Sequence, residues 1–538
     1  MSTAIHKALE NLVDEMPSHM AVVSPGSRNA AVIEALISTG YELYSAVDER
    51  SAAFQALGMA KSSGSAVVLS CTSGTAALNY YPAIAEAYYA RIPLIVVTAD
   101  RPAELIDQWE GQSIRQKGVF DQHIRASFEL SDKHSSAENI VQEILSIFQK
   151  GIHGPVHINI PIAEPFYTQT ELVSGAHRVE VSLGCTDIIY IEDYIDVIEQ
   201  DKVLLVHGMR DDSFPHLDFR NQKLEQKAVI LADVTSRRLS NIQDWDAVLT
   251  SSNTEDFKDL GPDVLITSGT FNLSKSLKAF IKTYNPRVHY HFGHSAETAN
   301  PFGTLTQVFD ANAKKENFQW NLNSSYYQAW KDKEERYHLK LSMLNWNDWN
   351  EMTASKAMFQ NLSGKEIVHF SNSMPIRYAS MLRSSLKSKQ LYANRGTSGI
   401  DGCSSTALGY AMAKDEQVFL FSGDVAFFYD INAWYRDSLP DRLKVIVLNN
   451  KGGRIFEYID GPSAIPERLK FQLTSHERST KTLCTHFGLE YFCVENSEMM
   501  QSEWEAFTAH RGIAVLEVKT DPILNKEFYH SFKNLFNE

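Results

Sequence analysis

Gln417-Val-Phe-Leu-Phe-Ser-Gly-Asp-Val425 and Leu443-Lys-Val-Ile-Val-Leu-Asn-Asn-Lys-Gly-Gly453 decide the fold. Each opens on a short apolar run, the form a strand takes when both of its faces are buried in a parallel sheet. Each run ends in polar residues with turn character, Gly423-Asp424 after the first and Asn450-Lys451-Gly452-Gly453 after the second. The stretch between, 426–436, reads as a helix. The unit is therefore strand, turn, helix, strand, with oxygen ligands at the ends of both strands. Asp424 and Asn450 offer hard oxygen atoms, which suit Mg²⁺ or Ca²⁺. The first turn opens a helix, where free N–H groups and the dipole favour phosphate. Either piece alone is ordinary turn sequence. Together, 26 positions apart, they read as a diphosphate clamp built around a divalent ion.

Outward from this unit, the 538 residues allow three or four domains at about 150 residues each. A hydrophobic content of 43% supports large cores rather than disorder. The net charge of −15 argues against nonspecific binding to nucleic acid or an anionic membrane. Five cysteines, odd in number and without a CxxC pair, read as reduced thiols of a cytosol. Residues 1–19 have an amphipathic, mixed-charge helical pattern without a signal-peptide core. No apolar run approaches the roughly 20 residues of a membrane span. The expectation is a soluble, cytoplasmic protein.

Strand and helix patterns alternate in three blocks, 1–171, 192–310 and 352–538, with 172–191 and 311–351 as linkers. Strand candidates lie at 20–23, 66–70, 93–97 and 156–160 in the first block, with helices at 51–61 and 76–90 between them. The second block has candidates at 202–206, 228–231, 263–266 and 287–290. Lys331-Asp-Lys-Glu-Glu-Arg336 reads as a solvated helix face. Short apolar strands separated by helices indicate βαβ units. The expected class is α/β, with three doubly wound parallel-sheet domains.

The loops carry the charges. Asp48-Glu49-Arg50 follows a strand candidate at 41–47 and opens a helix, a common place for acids because of the dipole. Ser24-Pro-Gly-Ser-Arg28, Thr98-Ala-Asp-Arg101, Asn372-Ser-Met-Pro-Ile-Arg377 and Asn394-Arg395-Gly each put an arginine at a loop after a strand or at a helix start. Open α/β sheets bind ligands at such loops. One arginine alone would be an ordinary surface ion pair. Four in an acidic chain suggest a pocket for several carboxylates, which guanidinium groups match in bidentate fashion.

Gly-Asp, a helix-length spacer and Asn-Asn resemble the signature of thiamine-diphosphate (ThDP) enzymes, with Val425 in place of the usual final glycine. Thr72-Ser-Gly-Thr75 and Gly154-Pro-Val-His-Ile-Asn-Ile-Pro161 resemble the pyrimidine-binding domain of that superfamily. Ser-Pro-Gly-Ser-Arg, Ala-Asp-Arg-Pro, Asn-Arg-Gly-Thr-Ser-Gly-Ile-Asp-Gly and Asn-Asn-Lys-Gly-Gly-Arg-Ile-Phe are similar to motifs of one family within it. That family is the 2-succinyl-5-enolpyruvyl-6-hydroxy-3-cyclohexene-1-carboxylate synthases of menaquinone biosynthesis. The motifs fall in the first and third blocks, which the resemblance makes pyrimidine-binding and diphosphate-binding domains around a central Rossmann-like one.

The resemblance implies ThDP with Mg²⁺, or Mn²⁺ or Ca²⁺ in its place, held by Asp424, Asn450 and the Gly452 carbonyl. It implies that Glu49 activates the cofactor through its aminopyrimidine. Thr75, Ile400, Gly423, Val425, Ala426 and Ile455 would complete the cofactor site. Arg395 and Ser373 would bind 2-oxoglutarate. Ser27, Arg28, Arg101 and Gln112 would bind isochorismate, with Arg377 and Lys275 as further anion contacts and Phe456 beside Ile455 as an apolar wall. The implied reaction joins the two substrates with loss of CO₂, in a homodimer or dimer of dimers with sites between subunits. No dedicated active-site histidine is evident, and His157 reads as structural. Three alternatives stay open: another ThDP 2-oxoacid decarboxylase or carboligase resembling acetolactate synthase, a noncatalytic ThDP-fold binding protein, and a nucleotide-binding dehydrogenase. The last lacks a Gly-x-Gly-x-x-Gly fingerprint after the first strands.

Overall fold

The computed structural model describes residues 10–14, 18–130, 137–164, 185, 187–194, 201–220, 228–251, 254–270, 273–294, 298–310, 324–436, 438–458 and 465–536. Of the expected helix at 1–19, residues 10–14 are described and helical, and the rest lies largely outside the described residues. The first sheet runs from edge to edge as Glu42–Ser45, Met20–Val23, Val67–Cys71, Leu94–Asp100, Pro155–Pro161 and Ser127–Glu129. The third runs as Gln390–Ala393, Ile367–Phe370, Val418–Gly423, Leu443–Asn449, Ala514–Lys519 and Glu490–Val494. Every pairing in both is parallel. Numbered by chain order within each sheet, both read 2-1-3-4-6-5.

The Val-, Ile- and Leu-rich runs explain these sheets. Val68, Ile95, Val97 and Ile158 bury one face of the first sheet, and Val67, Leu69, Leu94 and Val96 bury the other. Both faces are covered by helices, as parallel sheets require. In each sheet the order reverses between strands 1 and 3. The loops after those strands flank the crevice where such folds bind ligands. These are the loops at Ser24 and Thr72 in the first sheet and at Ser371 and Asp424 in the third.

The middle sheet is also parallel, with Val229–Ala232, Val203–His207, Val264–Ser268, Val288–Phe292 and Gln307–Phe309 in that order. The expected linkers 172–191 and 311–351 lie partly outside the described residues. Where described they carry structure of their own. Ile188–Tyr190 pairs with His216–Asp218, and Ser324–Leu341 is a helix. Tyr326, Trp330 and Tyr337 of that helix enter one core with Leu204 and Val206 of the middle sheet and Met352 and Met358 beyond it. Its expected solvated face holds except at Glu334, which is buried and accepts from the Asp244 backbone N at 3.0 Å.

Two helices differ from their sequence reading. The stretch 426–436 is not one helix but Asp424–Tyr429 followed by a 3₁₀ turn, Ile431–Trp434. Asp430 interrupts them because its buried carboxylate accepts from Ser405 N at 2.7 Å and Ser405 Oγ at 2.8 Å. Similarly, 76–90 divides into Thr75–Asn79 and Tyr81–Ala90, with Pro82 in the first turn of the second helix.

The first and third sheets are joined through the helices Glu49–Ser63 and Cys403–Met412. A Cβ on Gly58 would lie 2.0 Å from the Thr406 carbonyl oxygen, and one on Gly409 would lie 2.0 Å from that of Gln55. These two contacts pair residues in opposite chain order, so the helices cross antiparallel with their backbones touching.

Candidate functional site

The third sheet gathers the clamp. Asp424 and Asn450 directly follow adjacent strands and are both buried. Asp424 Oδ1 accepts from Val425 N at 2.7 Å, and Oδ2 accepts from Gly452 N at 2.9 Å. Asn450 Nδ2 donates to Glu351 Oε1 at 3.0 Å, while the buried Asn450 Oδ1 has no hydrogen-bond partner. The Gly452 carbonyl accepts from Arg454 N at 2.9 Å, leaving one lone pair. A Cβ added at Gly423 would meet nothing within 4 Å, so the turn opens onto free space. An orphaned amide oxygen, a carboxylate with acceptor capacity left and a carbonyl oxygen form a donor set that fits a hard divalent cation. Ala426 is buried and Val425 half-buried at the start of the helix.

Around the clamp, Ser373 has a φ of 79° and ψ of −128°, a strained conformation for a residue with a side chain. Its carbonyl accepts from Arg377 NH1 at 2.6 Å. Asn372 binds the next loop twice, donating to the Asn394 and Gly399 carbonyls at 2.6 Å each. Its Oδ1 accepts from Arg395 NH1 at 2.8 Å. Arg377 and Arg395 lie near enough to repel, and burial with that repulsion lowers the Arg377 pKa. Ile400, Ile455 and Phe456 are half-buried.

The middle domain reaches the same arginines. Burial and then Arg395 lower the pKa of Lys278. Asp233 opposes the lowering of Arg395, which burial dominates. Lys275, the expected anion contact, is exposed at the first position of the helix Lys275–Tyr284. Asn272 of its motif lies outside the described residues.

The first sheet gathers a second group. A cavity of about 480 Å³ is lined by Pro25, Gly26, Glu49, Thr72, Ser73, Gly74, Thr75, Ala76, Gln112, Ser113 and Ile114. Asp48 caps the helix that Glu49 begins. Desolvation raises the Glu49 pKa, with Asp48 acting in the same direction and a backbone hydrogen bond opposing. Arg101 NH1 donates to Ser73 Oγ at 2.7 Å. Arg28 is buried, donates to the Ile162 carbonyl at 2.7 Å, and is lowered in pKa by burial and then by Arg101. Ser27, Thr75 and Gln112 are exposed. All the lining residues of this cavity belong to the first sheet's domain.

Several residues were not singled out from the sequence. Gln116 is buried, accepts from Gly74 N at 3.1 Å and donates to the Ala99 carbonyl at 3.1 Å. His476 Nε2 lies 3.2 Å from Asp424 Oδ2, so a histidine does face the clamp. Its Nδ1 accepts from Arg478 N at 3.1 Å, which holds the ring in this orientation. Burial pushes the Glu351 carboxyl up to about 7, and the charge of Asp424 adds to this. His157, by contrast, is fully buried, bonded to Thr98 Oγ1 at 2.8 Å and pushed down to about 3 by desolvation, as a structural histidine is.

Twin parallel sheets of one order, with an acid at a loop of one and a clamp at the ends of the other, define an enzyme that works with thiamine diphosphate. Residues 6–124 match the family of the thiamine pyrophosphate enzyme N-terminal TPP binding domain. A 2-succinyl-5-enolpyruvyl-6-hydroxy-3-cyclohexene-1-carboxylate synthase from Cytophaga hutchinsonii is 37% identical over 539 residues, covering 96% of each chain. Proteins of the same name from Flavobacterium psychrophilum and Bacteroides thetaiotaomicron are 33% and 32% identical, over 96% and 95% of this chain and 96% of each relative. The chain belongs to the 2-succinyl-5-enolpyruvyl-6-hydroxy-3-cyclohexene-1-carboxylate synthase family. Among the described residues, no helix is long and apolar enough to cross a membrane.

Proposed function

We propose that the protein decarboxylates 2-oxoglutarate and adds the remaining succinyl unit to isochorismate, using ThDP and Mg²⁺. The observation that carries this reading is the pairing of the Asp424–Asn450 clamp with arginines from both outer domains, in a chain of this family. Bound ThDP supplies the carbon nucleophile and the electron sink for decarboxylation. Asp424, Asn450 and the Gly452 carbonyl hold the cation. Glu49, whose carboxyl desolvation raises in pKa, shares a proton with the pyrimidine ring nitrogen when the cofactor is bound.

Arg395 and Ser373 bind the carboxylates of 2-oxoglutarate, with Arg377 beside them. Arg28 and Arg101, with Ser27 and Gln112, bind isochorismate, and Lys275 adds positive charge at the rim. Two substrates with four carboxylates account for this many cations in an acidic chain. Ile455 and Phe456 exclude water from the reacting carbons. A complete centre forms between Glu49 of one subunit and the clamp of another, in a homodimer or dimer of dimers; a Glu49 cavity lined by one domain alone supports this reading.

The test is purified protein given ThDP, Mg²⁺ and 2-oxoglutarate, with and without isochorismate, followed by CO₂ release and product mass. A cofactor-dependent succinyl adduct of isochorismate is expected. CO₂ without an adduct would refute the acceptor, and no CO₂ with cofactor bound would refute the donor.

A further inference from the structure

Asn450 supplies an oxygen to the clamp only if its amide faces the right way. Amide oxygen and nitrogen have nearly the same shape, so neighbours decide the orientation. The neighbour here is Glu351, first residue of the helix Glu351–Asn361 and 1% exposed. Its Oε1 accepts from Asn450 Nδ2 at 3.0 Å and its Oε2 accepts from the Tyr378 hydroxyl at 2.9 Å. Its backbone N donates to Asn525 Oδ1 at 2.8 Å, so the residue is held at both ends. With Oε2 accepting from the Tyr378 hydroxyl and Oε1 from the amide, Glu351 presents an acceptor to Asn450. It therefore draws the nitrogen of Asn450 and turns Oδ1 away, where it stands buried and without a partner.

We infer that Glu351, braced by Tyr378, is a positioning residue that fixes the Asn450 amide so that Oδ1 faces a divalent cation. The inference rests on the clamp reading above. Glu351 acts through Asn450, the residue it bonds. It acts as the partners behind metal ligands do elsewhere, whose loss typically weakens metal binding by about 10- to 100-fold. In E351Q the new amide donates as well as accepts, so Asn450 can turn its oxygen inward and lose it to the cation.

The experiment is Mn²⁺ binding to the full chain with ThDP at about pH 8, read by electron paramagnetic resonance, with circular dichroism melts alongside. E351Q is expected to bind Mn²⁺ roughly tenfold more weakly or worse with an unchanged fold, and to regain turnover in excess Mg²⁺. Binding within about twofold of wild type in E351Q, while D424A loses it, would overturn this inference alone. Should E351Q not fold, Y378F decides. A loss of about twofold or more supports the inference, and wild-type affinity overturns it. Wild-type protein that binds no Mn²⁺ would overturn the clamp reading and this inference with it.

Discussion

Glu86, on a helix of the first domain, holds Thr397 of the third, accepting from its backbone N at 2.6 Å and its hydroxyl at 2.9 Å. The same carboxylate accepts from Gly396 N at 2.8 Å and is fully buried. Three donors thus fix the loop that carries Arg395. A Cβ on Gly396 would lie 2.4 Å from the Glu86 carbonyl oxygen, so only glycine permits this approach. E86A should leave the buried Gly396 N–H unpaired, at about 1–3 kcal/mol. The expected outcome is a lower melting temperature and a KM for 2-oxoglutarate raised roughly tenfold, with ThDP affinity changed far less. Steady-state kinetics beside a cofactor titration check this, and equal damage to both would remove Glu86 from the support of Arg395.

Arg395 and Arg101 should separate the two substrates. R395A is expected to raise the KM for 2-oxoglutarate roughly tenfold to a hundredfold, the worth of a charge-assisted bond. R101A should do the same for isochorismate while leaving CO₂ release from 2-oxoglutarate near wild type. Comparing the two KM values in both variants tests the assignment, and a crossed pattern would reverse it.

The strands were legible because buried parallel strands are written as short apolar runs, as in 417–421 and 443–448. Asp424 and Asn450 were legible because each follows such a run in a turn. The braces behind them were not. Glu351 lies 99 residues from Asn450 and Glu86 lies 311 from Thr397, so no local pattern links them. The helix read over 426–436 failed for the same reason, since what stops it is Ser405 bonding Asp430 from 25 residues away. His476 sits in a stretch without strand or motif, and only the fold brings it to Asp424.

Asp430 also gives the stability a pH dependence. Burial pushes its carboxyl up to about 7, against hydrogen bonds from Ser405 that lower it. A raised folded pKa means that the folded chain keeps the proton where the unfolded chain has lost it. The contribution is complete below about pH 4 and is lost as pH rises through about 7. D430N, which keeps an acceptor oxygen for Ser405, should therefore gain on wild type as pH rises from about 5 to 7. The slope approaches about 1.4 kcal/mol per pH unit. Urea unfolding at several pH values measures this. A constant difference would mean that Asp430 keeps an ordinary pKa in the folded state.

The helix crossing between the outer domains allows a direct stability test. G409A and G58A each place a methyl 2.0 Å from a carbonyl oxygen of the opposing helix. Neither backbone can retreat without moving its domain, so each should cost about 1–3 kcal/mol or more. The unfolding midpoint should fall in both, and an unchanged midpoint would contradict the close crossing.

The proposed reaction centre joins Glu49 of one subunit to the Asp424 clamp of its partner. Complementation tests this most directly. E49Q and D424A, each expected to lose most activity alone, are co-expressed with different tags and the mixed oligomers isolated. Sites assembled across subunits leave one intact site in each mixed dimer, so activity should return to roughly half the wild-type value per dimer. Mixed dimers as inactive as their parents would place Glu49 and Asp424 in the same subunit's site and contradict the account.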